Sequence, residues 1–391
     1  MGIVTRYAWA GLALLAGACA GAPPPPDRLP HAERASAACR TPSVTIAFDV
    51  PGAPQHACAI MSERAFELLV TPEHAPPINP SPWYAFRYEA RGDEPVSITL
   101  RYLEAAHRYT PKLDAGGGWR DLPTTVSADG TAAQIDLPPG SGVVAAQELV
   151  TPGDAAMALA RWSKASGSPV FVIGSSLDGQ AIGAIRLGRA DAPRLVVLLG
   201  RQHPPEVTGA IAMEAFVDTL VARTADLGDL QVLVVPMLNP DGTARGHWRA
   251  NRGAVDLNRD WGSFTQPETR AVKTWLDALG PDVRPVLMVD FHSTSRNLFY
   301  VQGPDEASPA QSRFLAAWLG GKEQTLPGYP FSLEPRNANP GSGTAKNWFH
   351  KSYGIPAYTY EVDDKVDRDA ARNAARELAV ELLEAMPVLG R

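Results

Sequence analysis

The stretch Arg194-Leu195-Val196-Val197-Leu198-Leu199-Gly200-Arg201-Gln202-His203-Pro204-Pro205-Glu206 decides the fold class. Its first half is a continuous apolar run without polar alternation. Such a run reads as a strand buried on both faces, as occurs where helices cover both sides of a mostly parallel sheet. Its second half turns polar and leads into a helical pattern over 206–224. The carboxyl end of a buried parallel strand opens into the crevice where open α/β sheets bind ligands. His203 and Glu206 fall at that opening. Three apart on a helical turn, they would point the same way and could share one metal ion. The pair alone is weak, because a chain with eight histidines yields a His-x-x-Glu by chance easily enough. A glutamate is also favourable at any helix N-terminus.

Runs of the same texture recur at 230–237, 286–291 and 357–361. Helical patterns cover 154–164, 266–279, 309–318 and 368–385. Ser308-Pro309 supplies a capping hydroxyl followed by proline at the first helical position. Thr265-Gln266-Pro267-Glu268 predicts a capping box, which gives Glu268 a structural role. Asp178-Gly179 between 170–173 and 181–187 predicts a hairpin. Residues 153–391 are therefore expected to form an α/β domain with a mostly parallel mixed sheet and flanking helices.

The part before it differs. Over 40–152, short apolar runs at 44–50, 65–70, 83–88, 96–102 and 133–137 alternate with Pro, Gly and Asp clusters. That spacing predicts a small antiparallel β-sandwich, with Trp83, Phe86 and Tyr102 in its core. Residues 20–39 are Pro- and Ala-rich and read as a tether. Arg6, an apolar stretch over 7–15 and small residues up to Cys19 read as a secretory signal over 1–19, too short for a permanent membrane span. Leu15-Ala16-Gly17-Ala18-Cys19 resembles a bacterial lipoprotein signal, although Ala16 stands where a larger aliphatic residue is usual. The protein is then expected in the periplasm or cell envelope, touching a membrane only through a lipid on Cys19. Cys39 and Cys58, an even pair in an exported chain, are disulfide candidates. The net charge of −6 and the lack of a long basic run argue against nucleic acid as partner.

His292 strengthens the metal reading. It follows the buried run Val286-Leu287-Met288-Val289-Asp290-Phe291, so it too falls at a strand's carboxyl end. Two His and one Glu leave a fourth tetrahedral position open for water. Between them Trp248-Arg249-Ala250-Asn251-Arg252 leads to Asp256-Leu257-Asn258-Arg259. Three arginines within eleven residues would repel a neighbouring metal ion unless the substrate brings negative charge.

The ordered set His-x-x-Glu, Asn239-Pro240-Asp241-Gly242, Trp248-Arg249, Asp-x-Asn-Arg and a strand-end His resembles the zinc carboxypeptidase family over roughly residues 165–385. The front part, with Ser81-Pro82-Trp83-Tyr84-Ala85-Phe86-Arg87, looks like the cytosolic-carboxypeptidase branch and its bacterial relatives. The resemblance implies one zinc per chain on His203, Glu206 and His292. It implies Arg249 at the oxyanion, Asn258 and Arg259 on the substrate's terminal carboxylate, and Asp256 orienting His203. Glu361, in Tyr358-Thr359-Tyr360-Glu361, matches the catalytic glutamate, which activates water and protonates the leaving amine. Lys346 falls where the family reads the terminal side chain, which favours an acidic residue there. The family's closing-loop tyrosine is absent from 337–343, and Tyr300 or Tyr353 would have to replace it.

A peptide with a free C-terminal carboxylate is the expected substrate. A murein stem peptide or an N-acyl amino acid are alternatives on the same fold. From another class comes a non-catalytic envelope binding module, which would be expected to lack a ligand or Glu361. A serine hydrolase lacks its Gly-x-Ser-x-Gly elbow.

Overall fold

Period-two alternation builds the N-terminal part of the chain into two stacked sheets. The structure is a computed structural model and describes residues 38–336 and 342–390. The targeting segment and most of the tether lie outside the described residues. The first eleven strands are β1 (Ala38–Arg40), β2 (Val44–Ala47), β3 (Ala57–Ser62), β4 (Ala65–Val70), β5 (Ala85–Ala90), β6 (Val96–Tyr102), β7 (Lys112–Asp114), β8 (Arg120–Asp121), β9 (Thr124–Val126), β10 (Ala132–Leu137) and β11 (Gly140–Ala145). One sheet has the order β1-β2-β5-β11-β7-β8 and the other β3-β4-β6-β10-β9. All these pairings are antiparallel except β4 with β6, which is parallel. In β6 Val96, Ile98, Leu100 and Tyr102 turn inward, where they meet Trp83 and Phe86. A Cys39–Cys58 disulfide joins β1 of one sheet to β3 of the other.

The chain then switches to helices and buried strands. They are α1 (Pro152–Ser166), β12 (Val170–Ser175), β13 (Ala181–Gly188), β14 (Arg194–Gly200), α2 (Val207–Ala222), β15 (Leu230–Val235), α3 (Pro240–Arg245), α4 (Pro267–Asp277), β16 (Arg284–Thr294), β17 (Leu298–Val301), α5 (Pro309–Trp318), β18 (Ser332–Pro335), α6 (Ala345–Tyr353), β19 (Ala357–Asp363) and α7 (Arg368–Ala385). The sheet order is β12-β13-β15-β14-β16-β19-β17-β18, and the central four strands are parallel. Every residue of β14 and β15 is buried, as a run without alternation requires. Val196 and Leu198 of β14 pack with α1, α2, α5 and α7 on one face. Leu195, Val197 and Leu199 pack with α4 and α6 on the other.

Four local expectations change. The pair His203 and Glu206 does not lie within a helix: residues 201–206 form the turn before α2, and Glu206 is its N-cap. Asn239-Pro240-Asp241-Gly242 is no simple turn but the start of α3, with the Asn239 side chain accepting from Gly242 N at 2.9 Å. His292 is not the end of its strand, because β16 continues to Thr294. The capping box at Thr265 does not form. Gln266 is the N-cap of α4, and the Asp260 carboxylate accepts instead from Thr265 N and Gln266 N, both at 2.9 Å. Glu268 stays structural, buried and accepting from Asn251 Nδ2 at 3.1 Å.

The sandwich and the α/β layers share a core. Val207 and Ile211 of α2, together with Trp248, pack among the sandwich's apolar side chains. Gly52 N donates to Ala244 O at 3.0 Å, and Trp83 Nε1 donates to Gly52 O at 2.8 Å. The segment carrying Arg249 is therefore packed against the sandwich.

Candidate metal centre

Parallel register sets the centre's frame. Gly200, the last residue of β14, is level with Phe291 of β16, and His292 is level with Glu361 of β19. The chain leaves β14, turns through 201–206 and enters α2 directly above β16. Gly209 makes this close crossing possible: a Cβ there would lie 2.4 Å from the carbonyl oxygen of His292. Its N–H instead donates to Ser293 Oγ at 2.8 Å. His203, Glu206 and His292 thereby converge, all buried, with one candidate ligand atom from each lying within 4.8 Å of the others.

Neighbouring carboxylates select the ring tautomers. His203 Nε2 lies 2.9 Å from Asp256 Oδ1, and His292 Nε2 lies 2.7 Å from Asp290 Oδ2. An ionised carboxylate only accepts, so each Nε2 carries the hydrogen and each Nδ1 turns a lone pair inward. The two Nδ1 atoms are 3.1 Å apart. Glu206 presents Oε1 at 2.8 Å to the first and Oε2 at 2.6 Å to the second. Four acceptor atoms thus face one another in a buried space, an arrangement that calls for positive charge. The local electrostatics agree in direction. Burial works against charging His292, but Asp290 and Glu206 hold it well above its ordinary value. Burial would raise the Glu206 carboxyl, yet the two imidazoles hold it well below. Two imidazole nitrogens and a carboxylate, oriented by outer carboxylates, fit a zinc ion with an open position.

Around this triad stand the other predicted residues. Glu361 reaches the centre from β19; its Oε2 is out of contact with water and has no hydrogen-bond partner. Burial and the nearby Glu206 charge push it up to about 7, against the pull of His292, His203 and Arg249. Arg249 donates from Nε to Asp256 Oδ2 at 2.9 Å, and its Nη1 lies 3.5 Å from Glu206 Oε1. Asp256 therefore links a metal ligand to the nearest cation. Burial would raise its carboxyl, but His203, Arg249 and Arg259 hold it far below the usual range. Asn258 Oδ1 accepts from Ala345 N at 2.8 Å, while its Nδ2, a donor, lies 3.3 Å from His292 Nε2. Arg259 is exposed and donates to Asn258 O at 2.7 Å.

Lys346 is buried at the start of α6, next to the residue that bonds Asn258. Its Nζ donates to Arg336 O at 2.7 Å. Burial lowers it to about 8, with Glu306 opposing and Arg336 assisting. Arg336 contributes that carbonyl, while its guanidinium lies 4.8 Å over the Tyr300 ring and 3.2 Å from Glu334. Tyr353 packs on Trp348 and Phe349 rather than at the metal centre. The stretch without the closing tyrosine lies largely outside the described residues.

Sequence reasoning missed three contributors. Asp290 carried a signal, a charged residue inside a buried strand and two before His292. Arg108 carried none: it donates from Nε to Asp364 Oδ2 and from Nη1 to Ser81 Oγ, both at 2.8 Å, tying the sandwich to the chain just beyond Glu361. Burial raises Asp364 to about 6, against the pull of Arg108. Glu73 also carried none. It accepts main-chain hydrogen bonds from Trp248, Arg249 and Ala250.

Comparison with known proteins adds to the geometry. The family model for zinc carboxypeptidases matches residues 160–374. An uncharacterized protein of Zymomonas mobilis is 25% identical over 262 residues, 60% of this chain and 67% of that one. Cytosolic carboxypeptidase 2 of Danio rerio is 32% identical over 135 residues, and this chain spans only 18% of its length. Among solved structures, a metallo-carboxypeptidase from Burkholderia cenocepacia superposes with a TM-score of 0.71 at 20% identity, covering 88% of this chain and 99% of that one. A metallo-carboxypeptidase from Pseudomonas aeruginosa, in complex with (2-guanidinoethylmercapto)succinic acid, gives 0.69 at 21% identity, covering 88% and 99%. These two show the shared fold of sandwich and α/β layers.

Proposed function

This chain belongs to the zinc carboxypeptidase family, and on that premise we propose that it removes single residues from peptides ending in a free carboxylate. The observation that carries the reading is the convergence of His203, Glu206 and His292 beside the unpartnered Oε2 of Glu361. Zinc held by the three ligands would supply Lewis acidity to the scissile carbonyl and to the attacking water. The chain's own groups do the rest. Glu361, poised near neutrality, takes a proton from the attacking water at Oε2 and gives it to the leaving nitrogen. Arg249, whose Nη1 lies 3.5 Å from Glu206 Oε1, can donate to the carbonyl oxygen as negative charge develops. Arg259, exposed at the rim, offers a guanidinium fork to the terminal carboxylate.

Two finer parts extend this reading. Lys346 follows Ala345, whose N–H bonds Asn258, and its buried ammonium supports a preference for an acidic terminal side chain. Export to the cell envelope, with a lipid on Cys19, rests on the Arg6 to Cys19 segment, which is outside the described residues.

The test uses the chain without residues 1–37, loaded with zinc. It is given free-carboxylate peptides, their C-terminal amides and murein stem peptides, and products are read by mass spectrometry. Chelator-sensitive loss of single terminal residues, blocked by amidation, is the expected result. Cleavage restricted to murein stems would move the substrate to the cell wall. No cleavage with zinc bound would overturn the reading.

A further inference from the structure

Beside the Arg108–Asp364 tie, the sandwich reaches the segment carrying Arg249 through a carboxylate. Glu73 lies in the connection between β4 and β5. Its Oε2 accepts from Trp248 N at 2.8 Å. Its Oε1 accepts from Arg249 N at 3.0 Å and from Ala250 N at 2.7 Å. Three consecutive main-chain N–H groups thus point at one side chain from the other layer of the molecule. A carboxylate bound in this way is a strong acceptor, since hydrogen bonds to an ionised group are roughly twice as strong as neutral ones.

The bonds fall on the residue whose side chain matters. Arg249 is buried, and its guanidinium is held from the opposite side by Asp256. In the segment between α3 and Arg249, Gly246 N and His247 N are satisfied locally, by Thr243 O at 3.2 Å and Gly242 O at 2.9 Å, whereas the N–H groups of 248–250 turn to Glu73. Trp248 is buried in the sandwich core, and Gly246 lies so close to Gly52 O that a Cβ would come within 2.4 Å. The segment is therefore clamped to the sandwich, and Glu73 sets the backbone from which Arg249 projects. Without Glu73 these N–H groups would turn to water, leaving the guanidinium placed by its side-chain partners Asp256 and Glu206 alone.

We propose that Glu73 is a positioning residue of the hydrolytic centre: by fixing the main chain of residues 248–250 it aims the Arg249 guanidinium at the developing oxyanion, so that the sandwich is part of the catalytic apparatus. This rests on the peptidase reading above and deepens it. Glu73 touches neither ligand nor substrate. Its effect passes through Arg249 and should fall on kcat, because an oxyanion donor acts in the transition state and not on the bound peptide.

A double-mutant cycle tests this with the zinc-loaded chain. E73A is expected to lower kcat about 10–100-fold with KM changed by no more than about 3-fold. R249A is expected to lower kcat by about 10²–10³. If Glu73 acts through Arg249, adding E73A to R249A costs nothing further. E73Q, which keeps an acceptor for two of the three N–H groups, is expected to recover part of the loss. Zinc content should stay at the wild-type level in all of them. An E73A loss of equal size in both backgrounds would overturn the proposal, since a general structural role behaves that way. So would an unchanged kcat in E73A.

Amide hydrogen exchange across residues 247–252 supplies a readout independent of turnover. E73A should speed exchange at 248–250 while leaving β14 and β16 protected. Unchanged exchange there would show that Glu73 does not hold the loop. A wild-type chain that binds zinc but cleaves no peptide would instead overturn the peptidase reading, whatever the exchange shows.

Discussion

Gly209→Ala should weaken this protein, against the usual rule for helices. Replacing glycine by alanine inside a helix ordinarily stabilises by about 0.5–1 kcal/mol. Gly209, however, sits in α2 where it crosses β16, and the added Cβ would lie 2.4 Å from His292 O, 2.7 Å from its carbonyl carbon and 3.1 Å from its Cα. Relaxed contact needs about 1 Å more than the shortest of these distances. The neighbour is backbone in a central strand, so α2 must move. Overpacking of this kind costs about 1–3 kcal/mol, more than the helical gain. Glu206 is three residues before the glycine, so the same shift pulls a ligand away from His292. Zinc affinity should fall about 10–100-fold, because ligand distances tolerate only about 0.2 Å. Gly153 of α1 is the control, since a Cβ there would meet only Thr151 Oγ1, at 3.4 Å. Thermal denaturation of the apo chain and competition with a chromophoric chelator measure the two effects. G209A with unchanged or raised Tm and wild-type zinc affinity would refute the reasoning that close backbone approach requires this glycine.

Other expectations follow from the same geometry. E361Q should keep zinc and substrate binding and lose about 10²–10⁴ in kcat, measured by steady-state kinetics on the best free-carboxylate peptide. D290N removes the acceptor-only partner of His292 Nε2, so it should lower zinc affinity about 10–100-fold without unfolding the chain, read by chelator competition and circular dichroism. Any preference for an acidic terminal residue should fade with rising pH. Burial lowers Lys346 to about 8, so its ammonium is present below that pH and lost above it. The ratio of kcat/KM for acidic over neutral termini, followed from pH 6 to about 9.5, should fall through this value and be flat in K346M. A pH-independent ratio in the wild-type chain would remove Lys346 from substrate recognition.

The elements that read most clearly were those with purely local signals. α5 and α7 match their expected limits at Pro309–Trp318 and Arg368–Ala385, because Ser308 and Asp367 cap them with their own side chains. β14 was legible because both of its faces are covered and its run is unbroken. β16 was read short because His292 and Ser293 are buried polar residues, which pattern reading takes for a strand's end. The chemistry itself hides the last turn of structure. α6 went unread since its buried residues include Lys346 and Asn347, so no apolar stripe marks it. The Thr265 box failed because Asp260, brought near by the preceding loop, is a better acceptor than the hydroxyl. Glu73 and Arg108 act across fold-level contacts that no local pattern encodes, whereas Asp290 serves His292 two residues along its own strand.

The arginines beside the metal centre now have a physical account. Three cations near a divalent ion would repel it, yet the structure neutralises two of them before any substrate arrives. Arg249 is paired with Asp256 at 2.9 Å and lies 3.5 Å from Glu206. Arg252 turns away and meets Asp178 at 3.4 Å. Among the described residues no carboxylate lies within ion-pair reach of Arg259, which donates to a carbonyl and faces solvent. Of the three arginines, Arg259 is thus the one left without a carboxylate partner among the described residues, exposed and next to Asn258. On the proposed reading a peptide's terminal carboxylate would pair with it at little desolvation cost, since the guanidinium is exposed. A terminal amide offers no such charge, so blocking the carboxylate should act mainly on KM, while loss of Arg249 or Glu361 acts on kcat. The division between the two constants follows from where each charge already has a partner.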